Sequence, residues 1–174
     1  MQSYIYGADD SAPSNSATQY NFIHTSNLGS WNNTQANRDT VIPHALTLDL
    51  LRVSVTTAPG VGTSYAFTVF KNGSATALTC TISGTNTTAT DSTNSVSFAA
   101  GDTISIRSVP TSTPGATGNI WWSVRQDASN LFAVIGGASQ NAANNATNFN
   151  NLMSAATWVT TESNVYSPMP CAGV

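Results

Sequence analysis

Charge is the scarcest property of this chain. Of its 174 residues, 7% are Asp, Glu, Lys or Arg, against roughly 25% in ordinary soluble domains. Lys71 is the only lysine, Glu162 the only glutamate, and the arginines are Arg38, Arg52, Arg107 and Arg125. The formal net charge is −3 and no basic cluster occurs. Binding to nucleic acid or to an anionic membrane is therefore not expected, because neutralising phosphates takes grouped Lys and Arg. Cysteine is limited to Cys80 and Cys171. Cys80 falls on the apolar face of a strand and reads as a buried free thiol, with a disulfide to Cys171 as the alternative. His24 and His44 are the only histidines, without HxH, HxxxH or HExxH spacing, so no zinc site is expected. There is no GxSxG elbow and no serine with a recognisable histidine partner. The acids sit mostly in turns, and none stands out as half of a glycosidase pair. Gly136-Gly137 lacks the helix, lysine and spacing of a phosphate cradle. The chain reads as a non-enzyme with no catalytic residue, cofactor or metal. No run approaches the 18 apolar residues of a membrane span, and Met1-Gln2-Ser3-Tyr4 has neither the basic nor the apolar part of a signal peptide. No stretch sustains a 3.6-residue period, which excludes long helices.

Ser, Thr and Asn take over, at 65 positions, so the surface is hydrated yet nearly uncharged. The apolar fraction of 40% is enough to pack a core. Such a surface suits outward-facing β proteins of virions, adhesins and secreted binding modules. It also suits assemblies, where few charges have to be desolvated at contacts.

The centre of the chain is Ser64 to Ser83. Tyr65, Phe67, Val69 and the stem of Lys71 alternate before Asn72-Gly73, and Leu78, Cys80 and Ile82 alternate after it. Asn-Gly between alternating runs predicts a type I′ hairpin with one apolar side facing a core. Residues 1–44 read as a polar, irregular leader. Within it Ser3 to Tyr6 suggests a short strand, Asp9-Asp10 a solvated turn rather than a calcium site, and Tyr20, Phe22 and Ile23 a strand or one helical turn. Leu46 to Val55 has apolar residues at both parities, which predicts a strand covered on two sides. Gly84 to Asn94 is expected to be an exposed loop, Ser95 to Ala99 a short strand, Thr103 to Val109 another, and Pro110 to Gly118 a second loop. In Asn119 to Arg125 the strand period puts Trp121 and Trp122 on opposite faces, one indole in the core and the other covered or displayed. Strands of this length with turns about every ten residues predict an all-β antiparallel sandwich, jelly-roll-like. The expected divisions are a leader arm at 1–44, a sandwich core at 45–125 and a C-terminal arm at 126–174. One short helix is expected at Asn141 to Met153.

The tail repeats the leader. Gly7, Asn15, Ala17, Thr18, Tyr20, Asn21 and Ile23 align with Gly136, Asn144, Ala146, Thr147, Phe149, Asn150 and Leu152 at constant spacing. After a two-residue deletion, Trp31, Thr34, Asn37, Pro43 and Ala45 align with Trp158, Thr161, Asn164, Pro170 and Ala172. The second copy stops where the first enters its strand at Leu46, so it cannot bury a core alone. It is expected to pack beside the leader, to dock on a neighbouring subunit as an arm, or to belong to a longer repetitive polypeptide.

Residues 56–124 resemble a β-sandwich module of tailed-phage virion surface proteins, of decoration or fibre type. The resemblance rests on the Pro59-Gly60 turn, the Tyr65-to-Gly73 hairpin limb (YAFTVFKNG), the threonine-rich stretch after Gly84 and the Asn94-to-Ser97 strand. The Ala99-to-Asp102 turn and the closing Gly118-to-Val124 strand complete it. It implies a jelly-roll-like module, commonly trimeric, with no enzymatic residues to carry over. The reading is a virion structural protein on the particle surface: a capsid decoration or cement protein. Its expected partners are further copies of itself, as a homotrimer, and the major capsid protein. Tyr4, Tyr6, Trp31, Trp158 and Tyr166 are the expected interface, although Trp31 taken alone reads rather as a core plug. The alternative is a receptor- or glycan-binding module of a tail fibre or secreted adhesin, with Trp121 and Trp122 stacking on the sugar.

Overall fold

In a computed structural model the structure describes residues 3–24 and 31–127. Among the described residues nine strands follow one another: β1 (Ser3–Asp9), β2 (Gln19–Asn21), β3 (Thr40–Val41), β4 (Leu46–Val55), β5 (Gly60–Lys71), β6 (Ser74–Gly84), β7 (Thr88–Phe98), β8 (Thr103–Thr111) and β9 (Ile120–Asp127). The first sheet has the order β1-β9-β4-β7, and the second β2-β8-β5-β6, with β3 also on β8. Every pairing is antiparallel. Among these strands, every connection except β2–β3 and β5–β6 crosses from one sheet to the other. That is the jelly-roll arrangement, and the expected all-β sandwich is what the chain forms.

The hairpin is where the alternation placed it. Asn72 and Gly73 have φ of 49° and 80°, the positive values a type I′ turn requires. Tyr65, Phe67, Val69, Leu78, Cys80 and Ile82 are all buried in the core. The Asn72 side chain donates to Asp102 Oδ1 at 2.6 Å and accepts from Thr103 N at 2.7 Å. Lys71 pairs with Asp102 Oδ2 at 3.0 Å. One end of the sandwich is thereby tied through two turns, and those donors, Asn72 first, hold the Asp102 carboxyl down at about 2.

Three expectations are corrected. The first concerns β4, whose apolar residues at both parities do not call for two covers. Leu50 has a φ of 51°, rare for a branched residue, and the register slips there: Asp49 faces Arg125, but Arg52 faces Ser123. This β-bulge inserts one residue, so Leu46 and Leu48 before it and Leu51, Val53 and Val55 after it all enter one core. The second concerns Gly84 to Asn94, most of which is strand rather than loop. β7 pairs with β4 from Thr88 to Phe98, its outward positions polar as an edge strand tolerates. Its one inward acid, Asp91, accepts from Thr79 N of β6, Thr93 N, Asn94 N and Asn94 Nδ2, at 3.0 to 3.1 Å. Burial works to raise the Asp91 carboxyl, but these donors bring it down to about 2.

The third correction concerns the leader. It is irregular over much of its length, yet it is no arm outside the sandwich. β1 pairs with β9 along its full length, and β2 and β3 pair with β8. Ile5, Ile23, Trp31 and Ile42 belong to the same core as the hairpin. A boundary at residue 44 therefore divides one folding unit. The reason is topological: jelly-roll neighbours lie far apart in sequence, and a strand of three residues carries no period of its own. The expected boundary after residue 125 also fails, since Gln126 and Asp127 belong to β9; the rest of the expected C-terminal arm, its short helix, the second repeat copy and Cys171 lie outside the described residues.

Candidate functional site

Period two along β1 and β9 sorts their side chains between core and surface. On β9, Ile120, Trp122 and Val124 turn inward, leaving Trp121, Ser123 and Arg125 outside. On β1, Ile5 is buried while Tyr4 and Tyr6 face out, 40% and 64% exposed. The register sets Tyr4 opposite Arg125, Tyr6 opposite Ser123 and Ala8 opposite Trp121. On the other flank β4 brings Asp49 opposite Arg125, Arg52 opposite Ser123 and Ser54 opposite Trp121. The Tyr4 and Tyr6 rings lie 5.9 Å apart, tilted. With only Ala8 and Ser54 directly beside it, Trp121 stands 44% exposed. The first sheet thus displays an aromatic strip running from Tyr4 through Tyr6 to Trp121, the last two being diagonal neighbours across the strand pair.

Polar groups border the strip. Arg125 grips Asp49 through Nε at 2.8 Å and Nη2 at 2.5 Å. The hydrogen bonds from Arg125 hold the Asp49 carboxyl below its usual range. A bidentate pair of this kind fixes both side chains in one plane. Arg52 stands exposed beside it.

Of the residues expected in an interface, Tyr4 and Tyr6 lie on this face. Trp31 does not. It is 6% exposed, packs against Phe67 and Trp122, and donates through Nε1 to Ser11 O at 3.2 Å. The expected contact is corrected to the core plug, because the open side of the sandwich between β1 and β2 needs a large side chain to close it. Trp158 and Tyr166 lie outside the described residues. Of the two glycan candidates Trp121 is displayed, whereas Trp122 is 2% exposed and donates to Ile23 O at 2.8 Å, which removes it from any surface. Its indole lies over Gly7, where a Cβ would come within 2.2 Å of the ring. Two candidate sets that the sequence kept apart, Tyr4 with Tyr6 and Trp121, therefore share one surface. Asp49, Arg52 and Arg125 were missed. The alternation Trp121, Ser123, Arg125 was readable, but the cross-strand partners were not.

Other chemistry-bearing residues are occupied structurally. Asp9 ends β1 and is buried rather than solvated as expected; it accepts from Ser11 N at 2.8 Å and from Asn21 Nδ2 at 2.8 Å, and burial pushes its carboxyl up. Burial, with Asp91 nearby, pushes the Cys80 thiol up to about 12, the behaviour of an inert core cysteine. Burial lowers His24.

No family model matches the chain, and no curated protein matches it.

Proposed function

We propose that the protein is a structural module of a virion surface, a capsid decoration protein that adheres to neighbouring subunits through the outer face of its first sheet. The observation that carries this is the Tyr4–Tyr6–Trp121 strip bordered by the Asp49–Arg125 pair. Tyr, Trp and Arg are the side chains that most often anchor protein interfaces. The face carries one ion pair, Asp49–Arg125, and one exposed cation, Arg52, so few charges have to be desolvated when it is buried. The low charge of the whole chain and its jelly-roll fold support the same reading. In this role the module is a homotrimer seated on the major capsid protein.

Two measurements test it. Light scattering after gel filtration is expected to give about three times the 18.1 kDa chain mass. Co-sedimentation with capsids is expected to be lost for the double variant Tyr6→Ala/Trp121→Ala, while the fold survives. Full capsid binding by that variant would sink the proposed face.

A second reading, a glycan-binding module of a tail fibre or adhesin, is favoured by the displayed Trp121 indole with Ser123 and Arg52 close by. A saturable glycan-array signal that disappears with Trp121→Ala would select it over decoration.

A further inference from the structure

The outer face of the second sheet holds a cation with no hydrogen-bond acceptor among the described residues. Arg107 points out of β8 between Ile106 and Ser108, both buried. Its guanidinium carbon lies 4.6 Å from the Phe70 ring centroid, and Tyr20 meets the same ring edge-on at 5.4 Å. Tyr20 of β2 and Thr68 of β5 flank it in register. Arg107 Nε is shut off from solvent without an acceptor among the described residues. The other cations of the interior and rims are answered: Lys71 by Asp102, Arg125 by Asp49, and Arg38 by the nearby Asp9.

A guanidinium pinned on an aromatic ring has already lost its rotameric freedom; its Nε is sealed in, and the Nη1–Nη2 edge, which is not, keeps a planar pair of donors. Such a group is preorganised for two oxygens in one plane. We propose that Arg107 is the binding site for a carboxylate carried on an extended acidic segment of a partner protein. Charge complementarity selects the carboxylate. The surroundings select a peptide over a sugar: the guanidinium already covers the face of Phe70 that a sugar would need. The adjoining outward residues Ala66, Thr68, Thr79 and Val109 form a strip of small side chains beside which an extended chain can lie. This site is on the opposite sheet from the aromatic strip, and either can fail without the other. With both, the module bridges two partners.

The test follows the Arg107 side-chain Nε–Hε resonance by NMR in the full chain. The titrants are a blocked Ser-Glu-Glu-Ser peptide, its Ser-Gln-Gln-Ser counterpart and inorganic phosphate. A saturable Hε shift at Arg107 with the glutamate peptide is expected, with at least about tenfold weaker binding of the glutamine peptide. Arg107→Lys, which keeps the charge and loses the fork, is expected to weaken binding by about the same factor. If that variant does not fold, the titrations of the unaltered protein decide alone. Absence of saturation, equal binding of the two peptides, tighter binding of phosphate, or an equal response at the exposed Arg52 would each overturn the assignment.

Discussion

On the outside of the second sheet Phe70 is 5% exposed; on the outside of the first, Trp121 is 44% exposed. Both are large aromatic residues at outward positions of well-paired strands. The difference lies in what the chain does next to them. Over the second sheet it lays its own cover. Asn32 bonds back to Tyr20, and the short 3-10 turn Gln35–Arg38 sends Gln35 to Ser105 Oγ at 3.4 Å. Arg38 sits over Phe22 at 5.3 Å, and Arg107 over Phe70. Over the first sheet no described segment does the same for Tyr4, Tyr6 and Trp121. Among the described residues the chain hides the aromatic side chains of the second sheet and leaves those of the first bare, so an aromatic contact can form only on the first.

The most direct way to break that comparison is to truncate one aromatic on each side. Phe70→Ala is expected to cost about 3–5 kcal/mol, the usual loss for a buried ring. Trp121→Ala should change stability by no more than about 0.5 kcal/mol, as an uncovered surface position does. Urea unfolding of both variants checks this. A large loss at Trp121 would mean that its face is covered after all.

The same contrast runs through the two sides of β1. Tyr6 and Gly7 are adjacent, one facing solvent and the other lying under the Trp122 indole. Gly7→Ala forces a methyl group into that ring and is expected to cost about 1–3 kcal/mol, because a close-packed core cannot shift the indole freely. Tyr6→Ala is expected to leave the unfolding midpoint unchanged. Thermal unfolding of the pair tests whether β1 divides core from surface as its register implies.

What could be read beforehand follows the range of the signal. The hairpin was legible because its period, its turn residues and its pairing are all local to Ser64–Ser83. That Trp121 and Trp122 part company was legible too, since period two requires it. Which of them enters the core depends on Gly7 and Ile23, some hundred positions away in the chain. The bulge at Leu50 was hidden because one inserted residue makes a one-faced strand look two-faced. β7 was hidden because its inward acid, Asp91, is satisfied by donors from β6 and from its own following residues, which composition cannot anticipate. The aromatic strip needed the β1–β9 pairing, a contact between opposite ends of the described chain.

The two open sides of the sandwich differ as well, and acid should separate them. Between β6 and β7, Asp91 is held ionised at about 2. A depressed folded-state value means stability that is fully present above the unfolded value of 3.8 and lost as pH falls toward about 2. Between β1 and β2, Asp9 is raised by burial. Protonation there favours the folded state, and its contribution fades as pH rises through the folded value. Asp91→Asn is therefore expected to flatten the acid limb of the stability curve, by at most about 2 kcal/mol, and Asp9→Asn to steepen it slightly. Chemical denaturation between pH 2 and 5 reads both. Parallel curves for the two variants would contradict the assignment of opposite roles.

The smallest effect is the most informative about the bare face. Asp49 and Arg125 are 23% and 30% exposed in their side chains, so their pair is still screened by water. Asp49→Asn is expected to lower the stability of the free protein by less than about 1 kcal/mol. If the first sheet docks on a partner, the same pair becomes desolvated, and removing one member breaks a charge pair that water no longer screens. The loss measured in capsid affinity should then exceed the loss measured in unfolding, and it should appear in the dissociation rate rather than the association rate. Equal losses in the two measurements would place the pair outside any contact and move the interface away from Arg125. The strip of Tyr4, Tyr6 and Trp121 would then have to dock, if it docks at all, by the edge nearer Ala8.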